Sequence, residues 1–475
     1  MRYSLALIVI LCTAARAQDP KLAAMIPDLM TRANVPGLSI ALIEDGKISW
    51  VGSFGVKNTE TGAKVDEHTV FQAASLSKVV FTYGVLKLVD QGKLNLDAPL
   101  TNYLPDYILN DGRINAITAR HVLTHRAGFP NWRPQGQPLV IQFAPGERFS
   151  YSGEGFVYLQ YVVQKITGLP LDTWMRQTVF EPLGMADSSF LWQAKYEDLA
   201  ATGHGSSGTP GRQFKPVASG SPINGGGGPA AASTLITTAR DYANFVIAIM
   251  NGTGLKPETS RAMLTPQTKV DAGCSNCIGR PVTQPSANIS WGLGVGLEQT
   301  AHGRSFWHWG DNGDFKAYVA ASRTSKRGVV IFTNSSNGMM IIPDIAARAM
   351  GEPQPAFEWV RYERYDSPRL QLYRAINDKG MDEALKNYPA GERLDEVSMN
   401  MLGYQFLADK KYKEALRVFE LNAAAYPKSA NVWDSLAEAY AVAGKELAIQ
   451  YYKKSLDLNP ENANAATMLK KLMAK

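Results

Sequence analysis

Ser75 and Lys78, in the run Phe71-Gln72-Ala73-Ala74-Ser75-Leu76-Ser77-Lys78, stand three residues apart, the spacing that turns two side chains the same way where a helix opens. A serine hydroxyl becomes a useful nucleophile once a base takes its proton, and a helix N-terminus favours the negative charge that develops on the oxygen. Lys78 is the candidate base. To act near neutral pH it must release a proton ordinarily held to about pH 10.4, and burial shifts an amine by up to about 3–5 units, enough for the task. An ordinary surface helix would show the same spacing. This is, however, the only Ser-x-x-Lys in the chain, and no Gly-x-Ser-x-Gly elbow offers a rival serine.

The elements needed to position this pair can be read around it. Val79, Val80, Phe81, Tyr83, Val85, Leu86, Leu88 and Val89 predict a mostly buried helix from near Ser75 to Gly92. Upstream, an amphipathic helix over 20–33 precedes an apolar strand at 38–43, a turn at 44–47 and a returning strand at 48–52. A hairpin packed on the serine-bearing helix implies a mixed α/β core. Further strands are expected at 290–296, 306–311, 317–322 and 329–334, and helices at 156–168, 238–250 and 341–350.

Pro36-Gly37-Leu38, Asp45-Gly46-Lys47, Thr69-Val70-Phe71 and Ser75-Leu76-Ser77-Lys78 resemble the class C β-lactamase and penicillin-binding serine hydrolase family. The resemblance covers roughly residues 22–350 and implies an antiparallel sheet flanked by helices with an inserted helical region. His121-Val122-Leu123-Thr124-His125-Arg126-Ala127-Gly128 is similar to the family's His-Thr-Ser-Gly turn, with Arg126-Ala127 departing from it. Tyr151-Ser152-Gly153 matches the family's Tyr-x-Asn, with Gly153 where the amide belongs, and His308-Trp309-Gly310 aligns with its third motif, which is Lys-Thr-Gly in class C β-lactamases and His-x-Gly in several of the peptidases and esterases. The resemblance assigns Tyr151 to proton transfer with Lys78. It assigns Ser75 and Asp311 to the oxyanion hole through their amides, and Gly153, His308 and Gly310 to the substrate-binding wall.

A formal charge of +6 with no dense Lys/Arg block gives no footprint for nucleic acid. Residues 1–17 read as a secretory signal, with Arg2, an apolar stretch and Ala15-Arg16-Ala17 as the cleavage site, which implies an extracytoplasmic mature chain without a transmembrane segment. Cys274 and Cys277 then remain and are expected to form a local disulfide, their loop setting arguing against a redox centre. His121 and His125, four apart, suggest zinc only weakly, because no glutamate motif and no third ligand accompany them. The glycine run at 224–228 lacks the Gly-Lys-Ser/Thr of a phosphate loop and reads as a flexible approach, giving conformational freedom beside a cleft, to residues 229–234, which resemble the family's small-residue segment before the helix at 238–250.

Glu352-Pro353-Gln354-Pro355 marks a boundary, giving a hydrolase domain over 18–352, a linker over 353–366 and a helical domain over 367–475. In the last, Leu402, Gly403 and Phe406 find partners 34 residues on at Leu436, Ala437 and Tyr440. Ala415, Phe419 and Pro427 find theirs 33 residues on at Ala448, Tyr452 and Pro460. That is the tetratricopeptide period with one residue deleted near Gly444-Lys445, and such repeats present a surface to a protein partner.

The expected function is acyl transfer to water on a small ester, amide or peptide, through a covalent intermediate and without metal or organic cofactor. Gly153 and His308, in place of Asn and Lys, favour an esterase or D-amino-acid peptidase over a β-lactamase. A neutral histidine at 308 predicts weak attraction for a lactam carboxylate, growing as the solution is acidified. The alternatives are a class C-type β-lactamase or a non-catalytic protein that senses peptidoglycan.

Overall fold

The structure, a computed structural model, describes residues 19–223, 226–279, 284–386, 394–442 and 447–474. The expected signal segment, the start of the glycine run and the repeat deletion lie outside the described residues. The chain divides into two compact units, one ending at Glu363 and the other beginning at Arg364.

The first unit is built on an eight-stranded antiparallel sheet of order β2-β1-β10-β9-β8-β7-β6-β5. Its strands are β1 (Gly37–Glu44), β2 (Lys47–Gly55), β5 (Thr268–Asp271), β6 (Pro285–Trp291), β7 (Gly296–Thr300), β8 (Gly303–Asp311), β9 (Lys316–Ser322) and β10 (Arg327–Thr333). A separate two-stranded pair joins β3 (Phe71–Gln72) to β4 (Ile236–Thr237). The N-terminal hairpin thus pairs with the last strand of the fold, Leu38 opposite Thr333 and Ile43 opposite Gly328.

β1 is buried along almost its whole length because both sheet faces are covered. Ala41, Ile43, Val330 and Phe332 join the core that holds α2 (Ser77–Asp90) and the helix Ala239–Asn251. The alternate Leu38, Ile40 and Leu42 are as buried and point to the opposite face. Helix α1 (Pro20–Ala33) begins with Asp19 capping the amides of Lys21 and Leu22, and it packs against β2 and the helix Ile342–Met350.

Two sequence expectations change here. Residues 290–296 are not one strand: β6 ends at Trp291, Gly292 N donates to Val295 O, and β7 starts at Gly296. The turn is buried, with Leu293 and Val295 in the core and Gly294 at φ +70°, so its apolar residues mimic a strand pattern. Residues 353–362 are not a free linker. Ala356 N donates to the buried Glu298, and Trp359 packs on Phe149, Trp291, Trp307 and Trp309 while donating to Asp271 O.

The second unit is wholly helical among its described residues. Successive helices Glu396–Ala408, Tyr412–Ala425, Ala430–Val442 and Leu447–Leu458 pack against one another. Gly403 lies where a Cβ would meet the Phe419 ring at 2.5 Å, and Ala437, Ala448 and Tyr452 are buried together.

A chain ended after Glu363 is expected to keep the first unit folded, whereas one ended after Pro355 should lose on the order of 3–5 kcal/mol, the typical cost of removing a buried large aromatic. Urea melts of the two shortened proteins check this, and equal midpoints would refute it.

Candidate active site

The nucleophile turn is pinned from three sides. Ala73 N donates to Leu235 O at 2.8 Å, beside the β3–β4 pair. Ser77 is wholly buried; its hydroxyl donates to Ala74 O at 2.6 Å and accepts from Leu235 N at 3.0 Å. Tyr242 donates to Leu76 O. Within this clamp Ala74 adopts φ +48°, a conformation costly for a residue with a Cβ and sustained only where the surroundings over-determine it. Ser75 therefore sits in a short 3₁₀ turn, Ala74–Leu76, one step before α2 rather than on the α-helix itself.

Lys78, in the first turn of α2, is 1% exposed and its Nζ donates to Ser75 Oγ at 3.1 Å and to Ala232 O at 2.8 Å. Desolvation lowers its pKa from 10.5 to about 7, with no charged partner offsetting the shift. The carbonyl that holds it belongs to the small-residue segment that follows the glycine run. Ala230, Ala231 and Ala232 are buried, and Gln160 clasps the segment by accepting from Ala231 N and donating to Pro229 O.

Tyr151 lies with its ring centroid 4.9 Å from Lys78 Nζ. Burial holds its phenol well above the usual range, while the nearby Ser75 hydroxyl pulls the other way. The disulfide Cys274–Cys277 closes a loop that supports it: Tyr151 N donates to Ser275 O at 2.8 Å, and Cys277 N donates to Ser150 Oγ. His125 stacks on the same ring, with centroids 4.2 Å apart. It has left the helix Ala119–Leu123 that carries His121, so the two histidines do not share a helical face for a metal. Its Nδ1 accepts from Ser152 N, which places the ring proton on Nε2.

His308 on β8 is fully buried, and its Nδ1–H donates to Trp309 O, leaving Nε2 a lone-pair acceptor without a protein partner among the described residues. Burial first, and the neighbouring Lys78 second, push its pKa down to about 3. The expected gain of positive charge on mild acidification is therefore corrected: His308 is neutral throughout the ordinary working range. Gly310 brings β8 against the nucleophile turn, where a Cβ would lie 2.5 Å from Ala73 O. Asp311, ending the strand, accepts from Tyr362 at 2.7 Å and from Lys316.

Gly153 offers no side chain to a substrate, and there is no room for one. A Cβ there would lie 2.7 Å from Trp132 Cζ2 and 2.9 Å from Asn131 O. Trp132 is locked in place by its neighbours. Asn131 accepts from the amides of Gly153 and Glu154, and Arg133 forks onto the buried Glu154 carboxylate at 2.7–2.8 Å. Trp132, Gln160 and Tyr362, and the contact of His125 with Tyr151, carry no signal in the sequence. Only their proximity to Gly153, Ala231, Tyr151 and Asp311 in the fold reveals them.

The family model described as Beta-lactamase matches residues 22–349. The chain belongs to that family. The chain is 29% identical to esterase EstB of Burkholderia gladioli over 214 residues, which is 39% of this chain and about half (54%) of the esterase. It is 25% identical to penicillin-binding protein 4 of Amycolatopsis lactamdurans over 68% of this chain and 87% of that protein. The fold is shared with an octameric penicillin-binding protein homologue from Pyrococcus abyssi, with a TM-score of 0.57 at 23% identity over 76% of this chain and 81% of that one. The matched family segment ends before Trp359 and Tyr362, which lie in the residues that follow it.

Lys78 makes a stability prediction. Its pKa in the fold lies below the unfolded value, so the folded state bears a penalty that is complete below pH 7 and relieved as pH rises toward 10.5. Lys78→Met is expected to stabilise the protein by about 2–4 kcal/mol at pH 7, the gain shrinking by pH 10, while abolishing turnover. Denaturant melts at both pH values test it; a less stable variant at pH 7 would contradict the argument.

Proposed function

We propose that this protein is a serine hydrolase that forms a covalent acyl-enzyme on ester or amide substrates. The observation that carries the reading is the buried Lys78 amine, 3.1 Å from Ser75 Oγ and with a pKa of about 7. Neutral Lys78 takes the Ser75 proton as Oγ attacks the carbonyl carbon, and the amides of Ser75 and Asp311 receive the oxyanion. The proton passes by way of Tyr151 to the leaving group, whose bond to the carbonyl carbon breaks as the oxyanion collapses. A water then gives a proton to Lys78 as it attacks the acyl carbon; the bond from that carbon to Ser75 Oγ breaks, Oγ takes the proton back, and the carboxylic acid departs. Lys78 is the group that titrates near 7 while burial keeps the Tyr151 phenol protonated, and both histidines beside them stay neutral, so neither adds a charge to the cycle.

Within this class an esterase or small D-amino-acid peptidase is favoured over a lactamase. Trp132 occupies the space that an Asn at position 153 would need, and neutral His308 replaces a cation. The likeness to esterase EstB supports the same choice. The signal-like residues 1–17 support an extracytoplasmic location. The C-terminal helices support a tetratricopeptide-type surface for a protein partner.

A fluorophosphonate probe is expected to label Ser75, and Ser75→Ala should abolish both labelling and turnover. For a small nitrophenyl ester kcat/KM should rise with pH and level off with an apparent pKa near 7, as Lys78 becomes neutral. Labelling elsewhere, or a flat profile from pH 5 to 9, would overturn the assignment.

Short-chain esters should exceed a chromogenic cephalosporin by at least about tenfold in kcat/KM, a gap of roughly 1.4 kcal/mol. Acidification to pH 5 should not close the gap, because His308 remains neutral there. Preference for the cephalosporin would instead establish a β-lactamase.

A further inference from the structure

A cavity of about 420 Å³ is lined by Gln72, three residues before Ser75, by Asp311 at the end of β8, by Ser233 and Asn312, and by Trp132 and Ile223. Asn312 Nδ2 donates to both Gln72 Oε1 and Ser233 O, so this rim is tied together. Ile223 also lines a second space of about 1010 Å³, whose wall includes Arg133, the residue after Trp132. The two spaces thus share Ile223 as a common wall residue.

The second space is an apolar groove with a constructed floor and walls. Tyr107 forms its floor, stacked on Tyr158 at 4.3 Å, and Leu139 and Val140 face the segment that carries Leu109. Arg113 fastens the two walls together: its guanidinium grips Asp111 on one and donates to Ile141 O at 2.8 Å on the other. Leu109 is 78% exposed and Val140 48%, two of the three large hydrophobic side chains left exposed in this unit among the described residues. Their gathering on one groove marks it as a surface meant to be covered. Arg133 is engaged with Glu154 and, next to the first space, Lys316 with Asp311, while the exposed Lys165 lines the second space.

We propose that this groove binds the unbranched alkyl chain of a neutral ester, whose carbonyl lies at Ser75 and whose chain passes Trp132 and Ile223 to lie along Tyr107, Leu139 and Val140. The inference rests on the hydrolase reading and names its substrate class: lipophilic esters of about eight carbons or more in the chain.

Nitrophenyl acetate, butyrate, octanoate and decanoate, kept below their micellar concentrations, measure it on the acyl side. Ethyl to decyl acetates measure it on the alcohol side. A gain in kcat/KM of at least about tenfold from the shortest to the eight-carbon chain is expected in one of the two series, and shows which half of the ester the groove takes. Val140→Asp and Leu109→Asp, both at exposed positions that a charge does not unfold, should each cut the long-to-short ratio in that series at least about fivefold. Short esters hydrolysed with no chain-length gain in either series, or ratios indifferent to both substitutions, would overturn the groove while leaving the hydrolase intact. No hydrolysis of nitrophenyl acetate and no labelling of Ser75 would overturn the hydrolase reading and the groove together.

Discussion

The desolvated amine of Lys78 is the constraint on which the site depends. An ammonium in such a place would ordinarily draw in a carboxylate, and a paired lysine would hold its proton too tightly to serve as a base. Here its surroundings are instead the Ser75 hydroxyl, the Ala232 carbonyl, the faces of Tyr151 and Phe156 and two histidines held neutral by the same burial. Three nitrogen bases packed without an acid cannot all be charged. Each protonation opposes the others, which keeps the cluster near neutrality where a nucleophile must be activated.

Keeping the amine dry requires backbone precision on every side. The strained Ala74 is held by bonds to Ala73 and Ser77, and Gly310 lets β8 approach closely enough to seal the turn from below. The alanines at 230–232 are small for the same reason. They admit the lysine tip to a carbonyl while Gln160 supplies the polar contacts that a larger residue would displace. The energy lost in this strain and desolvation is returned by the large aromatic and aliphatic core around α2.

Much of this could be read from residue order, and the failures have a common origin. α1 and the β1–β2 hairpin were legible because their periodicity is local: an apolar stripe behind an Asp cap, then two β-rich runs around Asp45-Gly46. Ser75, Lys78, Tyr151 and His308 could be singled out by motif, though their convergence could not. The turn at 292–295 was mistaken for strand because burial, not pairing, selected its apolar residues. The boundary at Pro353 was placed too early for a similar reason. Proline marks where a helix stops, but a single tryptophan downstream decides where packing stops, and Trp359 lies in a short segment with no pattern of its own.

Those same downstream residues show how the chain has altered a shared scaffold. At the third motif a family cation is absent, yet the strand end is not left loose: Asp311 is gripped by Lys316 from β9 and by Tyr362 from the continuation after Trp359. A carboxylate with both oxygens occupied cannot swing toward the nucleophile, where it would raise the pKa of Lys78 and defeat the activation that burial achieves. At the second motif the amide is likewise absent, and a tryptophan fixed by Asn131, Arg133 and Glu154 fills its place. Both changes replace groups that bind charge or amide with groups that exclude water or restrain an anion. Under the proposed hydrolysis, a lipophilic, uncharged ester would lose nothing by that exchange.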